Sequence, residues 1–310
     1  MSEPVDNDPS ELSRHLARLP FVVDAAAAAA GAQRLAGLTN RNYLVATSEG
    51  RVVLRVPGVG TAEYIDRRAE AVAARSAAEA GVNAEVLFFD DADGLMVTRF
   101  IEGATTMSAE RFADLDAVGR AGRSFRRLHD GAAPFATEFR LFPMIDEYKS
   151  LLAAKRATLP DGYDDVQREA DAVRAALARH PVHPAPSHCD PLCENFLDTG
   201  ERMYVIDYEY AGNNDPMWDL GDLSVEGGFS PQQDAGLLGA YFGGDPPLEA
   251  AARMVVYKAM CDLLWTLWGV IQHVNGNPVD DFWAYALGRF QRCRALMASD
   301  EFAGHLATLD

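Results

Sequence analysis

The stretch H-C-D-P-L-C-E-N at residues 188–195, followed by V-I-D-Y-E-Y at residues 205–210, carries the strongest signal in this sequence. The first stretch has the spacing H-x-D-x-x-x-x-N, and Asp207 in the second lies 17 residues after Asp190. Asp190, Asn195 and Asp207 offer oxygen ligands without a His or Cys ligand, a set that suits Mg²⁺. The alternative is a turn capped by Asp190 and Asn195 in front of a buried strand.

Local patterns predict that these residues lie at one end of a hairpin. Three prolines between residues 184 and 191 break helices, so residues 188–195 are predicted to form a loop. Residues 195–206 predict two short strands around an Asp-Thr-Gly turn. This hairpin would bring Asp190, Asn195 and Asp207 together.

Phosphoryl transfer of the protein-kinase type needs this set of groups. One Asp receives or orients the proton of an attacking hydroxyl, an Asn holds a metal ion, and a second Asp holds the metal that bridges the ATP phosphates. The spacing therefore indicates Asp190 as the base, and Asn195 and Asp207 as the metal ligands.

The chain resembles the choline/ethanolamine kinase family, within the wider aminoglycoside-phosphotransferase-like, protein-kinase-like superfamily. The resemblance covers about residues 37–290 and implies an α+β, protein-kinase-like fold with two lobes, and ATP and Mg²⁺ as cofactors. It rests on the two stretches above and on G-L-T-N-R-N-Y at 37–43, V-V-L-R-V at 52–56, W-D-L-G at 218–221 and L-W-T-L-W-G-V-I-Q at 264–272.

Periodicity predicts an N-terminal extension with a helix (residues 1–20), a small nucleotide-binding lobe (21–103) and a larger catalytic and acceptor-binding lobe (104–310). In the small lobe, strands are expected at residues 35–47 and 51–56, a helix at 67–80, and a hairpin at 86–98. In the large lobe, an amphipathic helix is expected at residues 108–129, and helices dominate residues 144–179 and 232–310.

Composition limits the partners. A formal charge of −18 argues against nonspecific binding of nucleic acid. We expect no signal peptide and no apolar run as long as a membrane span, and the four cysteines fit free thiols in a reducing cytoplasm. A small-molecule amino alcohol is the expected partner, and a homodimer is left open.

The resemblance places residues 37–43 over the ATP phosphates, with Thr39, Asn40 and Asn42 as nucleotide contacts. This segment holds one glycine, so an ordinary β-turn is the alternative. Arg55 stands where protein kinases place a lysine that contacts phosphates, and Glu70 on the following helix is its expected partner. The alternative for Arg55 is a surface residue of an edge strand.

The resemblance also assigns supporting residues near the base. His188 is expected to be structural, bonding backbone around the loop. Asp219 is expected to brace the catalytic loop by hydrogen bonds, and its alternative is a helix N-cap. Glu209 matches a D-x-E-Y pattern of choline kinases, and its role as a metal or substrate contact is left open.

Trp265 and Trp268 lie three residues apart and share one helix face. Core packing would explain them, but so would an aromatic cage, because a quaternary ammonium is recognised by π faces and a nearby carboxylate. The resemblance adds Tyr210 and Tyr285 as walls and Glu226 as a counter-charge.

Together these features predict a kinase that phosphorylates the hydroxyl of choline to give phosphocholine. The alternatives within this class are ethanolamine, thiamine and aminoglycoside kinases. An alternative of another class is a pseudokinase that binds a nucleotide or an amine without turnover.

Overall fold

A computed structural model describes residues 9–36, 40–58 and 65–309. The small lobe is built around an antiparallel sheet of five strands in the order β1-β2-β3-β5-β4. Its elements are α1 Pro9–Leu16, α2 Ala25–Ala30, β1 Gln33–Leu35, β2 Arg41–Thr47, β3 Gly50–Val56, α3 Arg67–Glu79, β4 Val86–Phe89 and β5 Met96–Arg99.

The two faces of this sheet have different environments. Alternation along β2, β3 and β5 sends Tyr43, Leu54 and Val97 to a core that is shared with α1 and α2. Register pairs Asn42 with Arg55 and Arg55 with Met96, so these side chains share the opposite face. Leu12 and Leu16 of α1 lie in the small-lobe core, so the N-terminal helix is part of this lobe's packing.

Helix α3 packs into the core of the large lobe although it belongs to the small one. Asp66 caps the helix by accepting from the Arg68 and Ala69 amides, and its alanine face joins the large-lobe core. The Ser76 hydroxyl donates to the Ala133 carbonyl at 2.9 Å. The helix is therefore anchored to the lobe that carries the catalytic hairpin.

The large lobe is mainly helical and carries two small antiparallel sheets, β6-β8-β9 and β10-β7. Glycines allow the helices that support the catalytic loop to pack closely. A side chain at Gly221 would meet the Met254 carbonyl at 2.9 Å, and one at Gly122 would meet the Leu237 carbonyl at 2.6 Å. The elements are β6 Thr105–Thr106, α4 Leu115–Gly131, α5 Leu141–Ala154, α6 Tyr163–Arg179, β7 Ala185–Ser187, β8 Phe196–Asp198, β9 Met203–Val205, β10 Gly212–Asn214, α7 Pro216–Glu226, α8 Pro231–Phe242, α9 Leu248–Val274, α10 Phe282–Met297 and α11 Asp300–Thr308.

The α+β, two-lobed, protein-kinase-like architecture predicted from the sequence is confirmed, while several element bounds differ. The strand expected at residues 35–47 is two strands, β1 and β2. The helix expected from residue 108 begins at Leu115, because the Asp114 carboxylate accepts from the Asp116 amide and caps it there. Ser108 instead accepts from the Arg111 amide of a short 3₁₀ turn. The predicted domain boundaries at residues 20 and 103 stay predictions.

Within the described residues, one helix is long and apolar enough to cross a membrane by length and composition alone, so the expectation of no membrane span stays a prediction. Helix α9 has 27 residues, and one 18-residue window has a mean hydropathy of 1.4. Of that window, 83% is buried inside the protein. Lys258 and Asp262 lie inside that window and interrupt the apolar run in the sequence.

Candidate active site

The catalytic loop joins β7 to β8 and ends in a 3₁₀ turn at Cys193–Asn195. The Asn195 amide Nδ2 donates to the Asp190 carbonyl at 3.1 Å, which closes the loop and leaves the Asn195 Oδ1 as an acceptor. The Ile206 amide donates to the Asn195 carbonyl at 2.9 Å and ties the loop to the residue before Asp207. The structure thus brings the three residues of the predicted constellation to one end of the hairpin.

Two residues of this region have left-handed backbone conformations that usually favour glycine. Cys189 has φ 68° and Asp207 has φ 70°. Each such residue costs on the order of 1 kcal/mol, so surrounding contacts must hold it. The Trp218 indole Nε1 donates to the Cys189 carbonyl at 3.2 Å. Strained backbone therefore directly precedes the carboxylate of Asp190 and sets the direction of the Asp207 side chain.

Asp219 accepts the two backbone amides that precede Asp190. Its carboxylate accepts from the His188 amide at 2.7 Å and from the Cys189 amide at 2.8 Å. His129 Nε2 donates to the same carboxylate at 3.0 Å, and the Tyr241 hydroxyl lies 2.9 Å from His129 Nδ1. The alternative that Asp219 is a helix N-cap was wrong, because Asp215 caps α7.

His188 faces backbone rather than the cleft. The side chain is fully buried, and its Nε2 donates to the Ile206 carbonyl at 2.8 Å. Burial lowers the pKa of His188, so the ring stays neutral as a backbone tie. This contact with backbone is the structural role that the sequence predicted for His188.

Asp207, Glu209 and Glu70 form a cluster of carboxylates, with one oxygen of each within 4.8 Å of the others. Burial, followed by the charge of Asp207, raises the pKa of Glu209 to about 7. Burial also raises the pKa of Asp207, against the opposing effect of Arg55. Two neighbouring carboxyls with raised pKa values, those of Asp207 and Glu209, are oxygen donors whose ionised forms a divalent cation would stabilise.

Two buried arginines bridge the small lobe to this cluster. Arg55 pairs with Glu70 through its Nη1, which also lies 3.4 Å from an oxygen of Asp207. Arg67 was not predicted, and its Nη1 lies 2.7 Å from Glu70 and 3.6 Å from Glu209. The spacing of three residues between Arg67 and Glu70 at a helix start was the available sequence signal.

Two of the predicted nucleotide contacts, Asn40 just before β2 and Asn42 within it, are engaged by hydrogen bonds within the protein. Asn40 is buried, its Nδ2 donates to Glu209 at 3.3 Å, and its Oδ1 accepts from the Gly58 amide. The Asn42 side chain donates to the Ala36 carbonyl at 3.1 Å. Thr39 lies outside the described residues. The assignment of these three residues to the nucleotide stays a prediction.

An apolar platform lies on the sheet face that carries Arg55 and was missed in the sequence. Leu44 and Val53 are cross-strand partners, they are half-buried, and they alternate with the residues of the small-lobe core. Arg55 on this face contacts Asp207 of the large lobe, so the face looks toward the catalytic hairpin. The sequence signal was the two-residue period of a strand, which puts Val53 on the same face as Arg55.

Four aromatic residues predicted as a cage form a continuous series of edge-to-face contacts. Ring centroids lie 6.2 Å apart between Tyr210 and Trp265, 6.1 Å between Trp265 and Trp268, and 5.8 Å between Trp268 and Tyr285. Phe282 extends the series at 5.5 Å from Trp268. Trp265 is buried, while Trp268, Tyr210 and Tyr285 are half-buried, so part of the aromatic surface remains accessible.

Glu226, the predicted counter-charge, is not free. The Arg289 Nη2 lies 2.5 Å from its Oε1. Asp190 lies within the electrostatic reach of this pair. Burial, followed by the charges of Glu226 and Asp207, raises the pKa of Asp190 to about 8, while Arg289 opposes the shift. The pKa of Tyr285 is raised by burial and, to a smaller extent, by the charges of Glu226 and Asp190, while Arg289 opposes the shift. The aromatic series, the ion pair and Asp190 therefore belong to one region.

The chain is similar in sequence and fold to several known proteins. The sequence model of the phosphotransferase enzyme family matches residues 31–255. A crystal structure of a choline/ethanolamine kinase family protein from Mesorhizobium loti is 54% identical, with a TM-score of 0.88 over 97% of this chain and 99% of that one. The choline kinase LicA from Streptococcus pneumoniae is 28% identical, with a TM-score of 0.75 over 93% and 98%. A structure of LicA in complex with AMP is 28% identical, with a TM-score of 0.66 over 90% and 92%.

Proposed function

Because the chain belongs to the phosphotransferase enzyme family and, within it, to the choline/ethanolamine kinases, we propose that it transfers the γ-phosphoryl group of ATP to the hydroxyl of choline. The products would be phosphocholine and ADP. As a member of this family the protein is an enzyme, a phosphotransferase with an alcohol group as acceptor.

The aromatic series from Tyr210 to Tyr285 is the observation that carries the choice of acceptor. A trimethylammonium group has no N–H to donate, so π faces and diffuse negative charge are the features that bind it. Three of the four rings are half-buried, and the charge of Asp190 reaches Tyr285. An acceptor whose ammonium rests on these rings would direct its hydroxyl toward Asp190.

Asp190 would accept a hydrogen bond from the acceptor hydroxyl and take its proton late in the transfer. In a loose transition state the proton leaves late, so positioning of the hydroxyl matters more than the strength of the base. The hold of Asp219 on the two preceding amides fixes where the carboxylate points. Because the pKa of Asp190 is raised to about 8, added positive charge in the cleft would favour its ionisation.

Asp207 and the Asn195 Oδ1 would hold Mg²⁺, with Glu209 close enough to join them. Bound there, the ion would neutralise charge on the β- and γ-phosphates. Asp207 is suited to this because its left-handed backbone and its partly exposed side chain direct a carboxylate into the cleft. Glu209 is held in reach by Asn40 and Arg67.

ATP would lie between the apolar platform of Leu44 and Val53 and the charged groups of the cleft. Flat half-buried apolar side chains suit an adenine ring, and the fork of Arg55 suits phosphate oxygens. The complex of LicA with AMP supports a nucleotide site in this fold. The pairing of Arg55 with Glu70 would keep the planar guanidinium of Arg55 in one orientation.

The test is an acceptor panel with Mg²⁺ and ATP, in which ADP release is measured for choline, ethanolamine, thiamine and an aminoglycoside. We expect choline to give the highest kcat/KM. Ethanolamine is the second candidate, because the family to which the chain belongs includes kinases of that amine. A preference for thiamine or an aminoglycoside would reject the choline assignment, and ATP binding without ADP release for any acceptor would support the pseudokinase alternative.

A further inference from the structure

Arg289 on α10 is a buried cation placed between two acids. Its Nη2 lies 2.5 Å from the Glu226 Oε1 at the end of α7, and its Nη1 lies 3.3 Å from the Asp262 Oδ1 on α9. Asp262 has a second partner, because the Arg292 Nη2 lies 2.6 Å from it. Among these groups, Arg289 is therefore the cation that neutralises Glu226.

The same guanidinium touches the aromatic series. The Arg289 Cζ lies 4.9 Å from the centroid of the Tyr285 ring, and Tyr285 in turn meets Trp268. Gly269 lets the Tyr285 helix approach α9, since a side chain there would come within 2.8 Å of the Tyr285 ring. Arg289 thus contacts the aromatic series through Tyr285 while it holds the carboxylate of Glu226.

Asp222 belongs to the same cluster as Glu226 and Cys261, but it is out of reach of an acceptor. Asp222 is 1% exposed, its Oδ1 accepts from the Cys261 thiol at 3.0 Å, and its Oδ2 is sealed from solvent without a hydrogen-bond partner in the described structure. Burial, followed by the charges of Glu226 and Asp190, raises the pKa of Asp222 well above its usual range, so this carboxyl offers an acceptor neither charge nor direct contact. Glu226 remains partly exposed, so it is the acid of this cluster that could accept N–H groups from an ammonium.

We propose that Arg289 determines specificity by engaging Glu226, so that the site favours a fully methylated ammonium over a primary one. This inference rests on the proposed amino-alcohol kinase function. A primary ammonium loses three hydrogen bonds to water on entering the site and needs acceptors to replace them. A carboxylate already bound to a guanidinium is a poor replacement for these hydrogen bonds, whereas a quaternary ammonium has no N–H group and requires no acceptor.

The test variant is Arg289→Met, which keeps length and apolar bulk and frees Glu226. We measure kcat/KM for choline and for ethanolamine and compare their ratio with that of the wild type. The expected shift toward ethanolamine is about tenfold, the lower part of the range for one hydrogen bond to a charged group. The gain should disappear in Arg289→Met/Glu226→Gln, because the released carboxylate is then absent.

Arg292→Met is the matched control, because Arg292 pairs with the same Asp262 but lies outside the Glu226 contact. It should leave the choline to ethanolamine ratio unchanged. If the melting curve shows that Arg289→Met does not fold, Arg289→Lys replaces it. A single ammonium cannot hold both Glu226 and Asp262, so a smaller shift of the kcat/KM ratio toward ethanolamine is expected.

The outcomes separate the two proposals. A wild-type enzyme that is inactive on every amino alcohol rejects the proposed function itself. An active wild type, together with a folded Arg289 variant of unchanged ratio, overturns the role of Arg289 and leaves the kinase assignment intact. An equal shift in Arg292→Met would also overturn it, because loss of charge near Asp262 would then be the cause.

Discussion

Replacement of Trp268 by leucine tests whether the aromatic series binds a cation or only packs. Trp268 is half-buried and meets three rings, those of Trp265, Tyr285 and Phe282, at centroid distances of 5.5–6.1 Å. Leucine keeps an apolar side chain and removes the π face. A desolvated cation–π contact is worth about 2 kcal/mol, so KM for choline should rise roughly thirtyfold at saturating ATP.

The structure offers a matched control for this substitution. Trp283 on α10 is also half-buried, but its ring contact is with His273, at 5.5 Å. Both Trp268→Leu and Trp283→Leu should lower the melting temperature, because each loses buried aromatic surface. A large rise in choline KM is expected for Trp268→Leu alone, and ethanolamine should suffer less because its ammonium can also use hydrogen bonds. If both variants lose stability and neither changes KM, the series is core packing and the cage is refuted.

Asp190→Ala should lower kcat on the order of 10²–10⁴-fold with ATP affinity nearly intact, as titration of ATP binding and steady-state kinetics would show. Wild-type turnover in this variant would contradict its role as base. Burial, with the charge of Glu226, raises the pKa of Asp190 to about 8, so the folded protein keeps a proton that the unfolded chain releases near pH 4. Stability is then lost as pH rises between about 4 and 8, and Asp190→Asn should flatten that slope in denaturant titrations of the free enzyme. A slope that is equal in the two proteins would show that the Asp190 carboxyl does not hold the proton. Arg55→Ala should raise KM for ATP roughly tenfold and leave acceptor KM unchanged, Arg55→Lys should restore part, and Arg51→Ala, on the same strand but paired at the surface with Glu102, should do neither. A response of acceptor KM alone would place Arg55 outside the nucleotide site.

The sequence alone could predict the candidate catalytic loop because its chemistry is local. Asp190 and Asn195 lie five residues apart on one loop, and Asp207 follows two residues after the end of β9, the partner strand of a short hairpin. Trp265 and Trp268 were found for the same reason, since three residues on a helix define a shared face. Elements whose bounds depend on competing caps were less accurate, as the start of α4 at Leu115 instead of residue 108 shows.

The residues that the sequence did not reveal act through contacts between distant segments. Arg289 and Glu226 are 63 residues apart, and His129 and Asp219 are 90 apart. A buried arginine and an exposed one look the same in a single sequence, because the difference is made by which helices pack together. The engagement of Glu226 by Arg289 could therefore be learned only from the fold, although Glu226 itself was expected near the acceptor.

The anchoring of α3 has a consequence for regulation. In protein kinases, movement of the corresponding helix separates its glutamate from the strand cation and switches the enzyme off. Here α3 lies in the large-lobe core, Ser76 bonds the Ala133 carbonyl, and the Val205 amide donates to the Val82 carbonyl at 3.0 Å. A swing of this helix would expose that alanine face and break these bonds together. We therefore expect an enzyme without a helix-driven off state, whose output in the cell follows how much ATP, acceptor and protein are present.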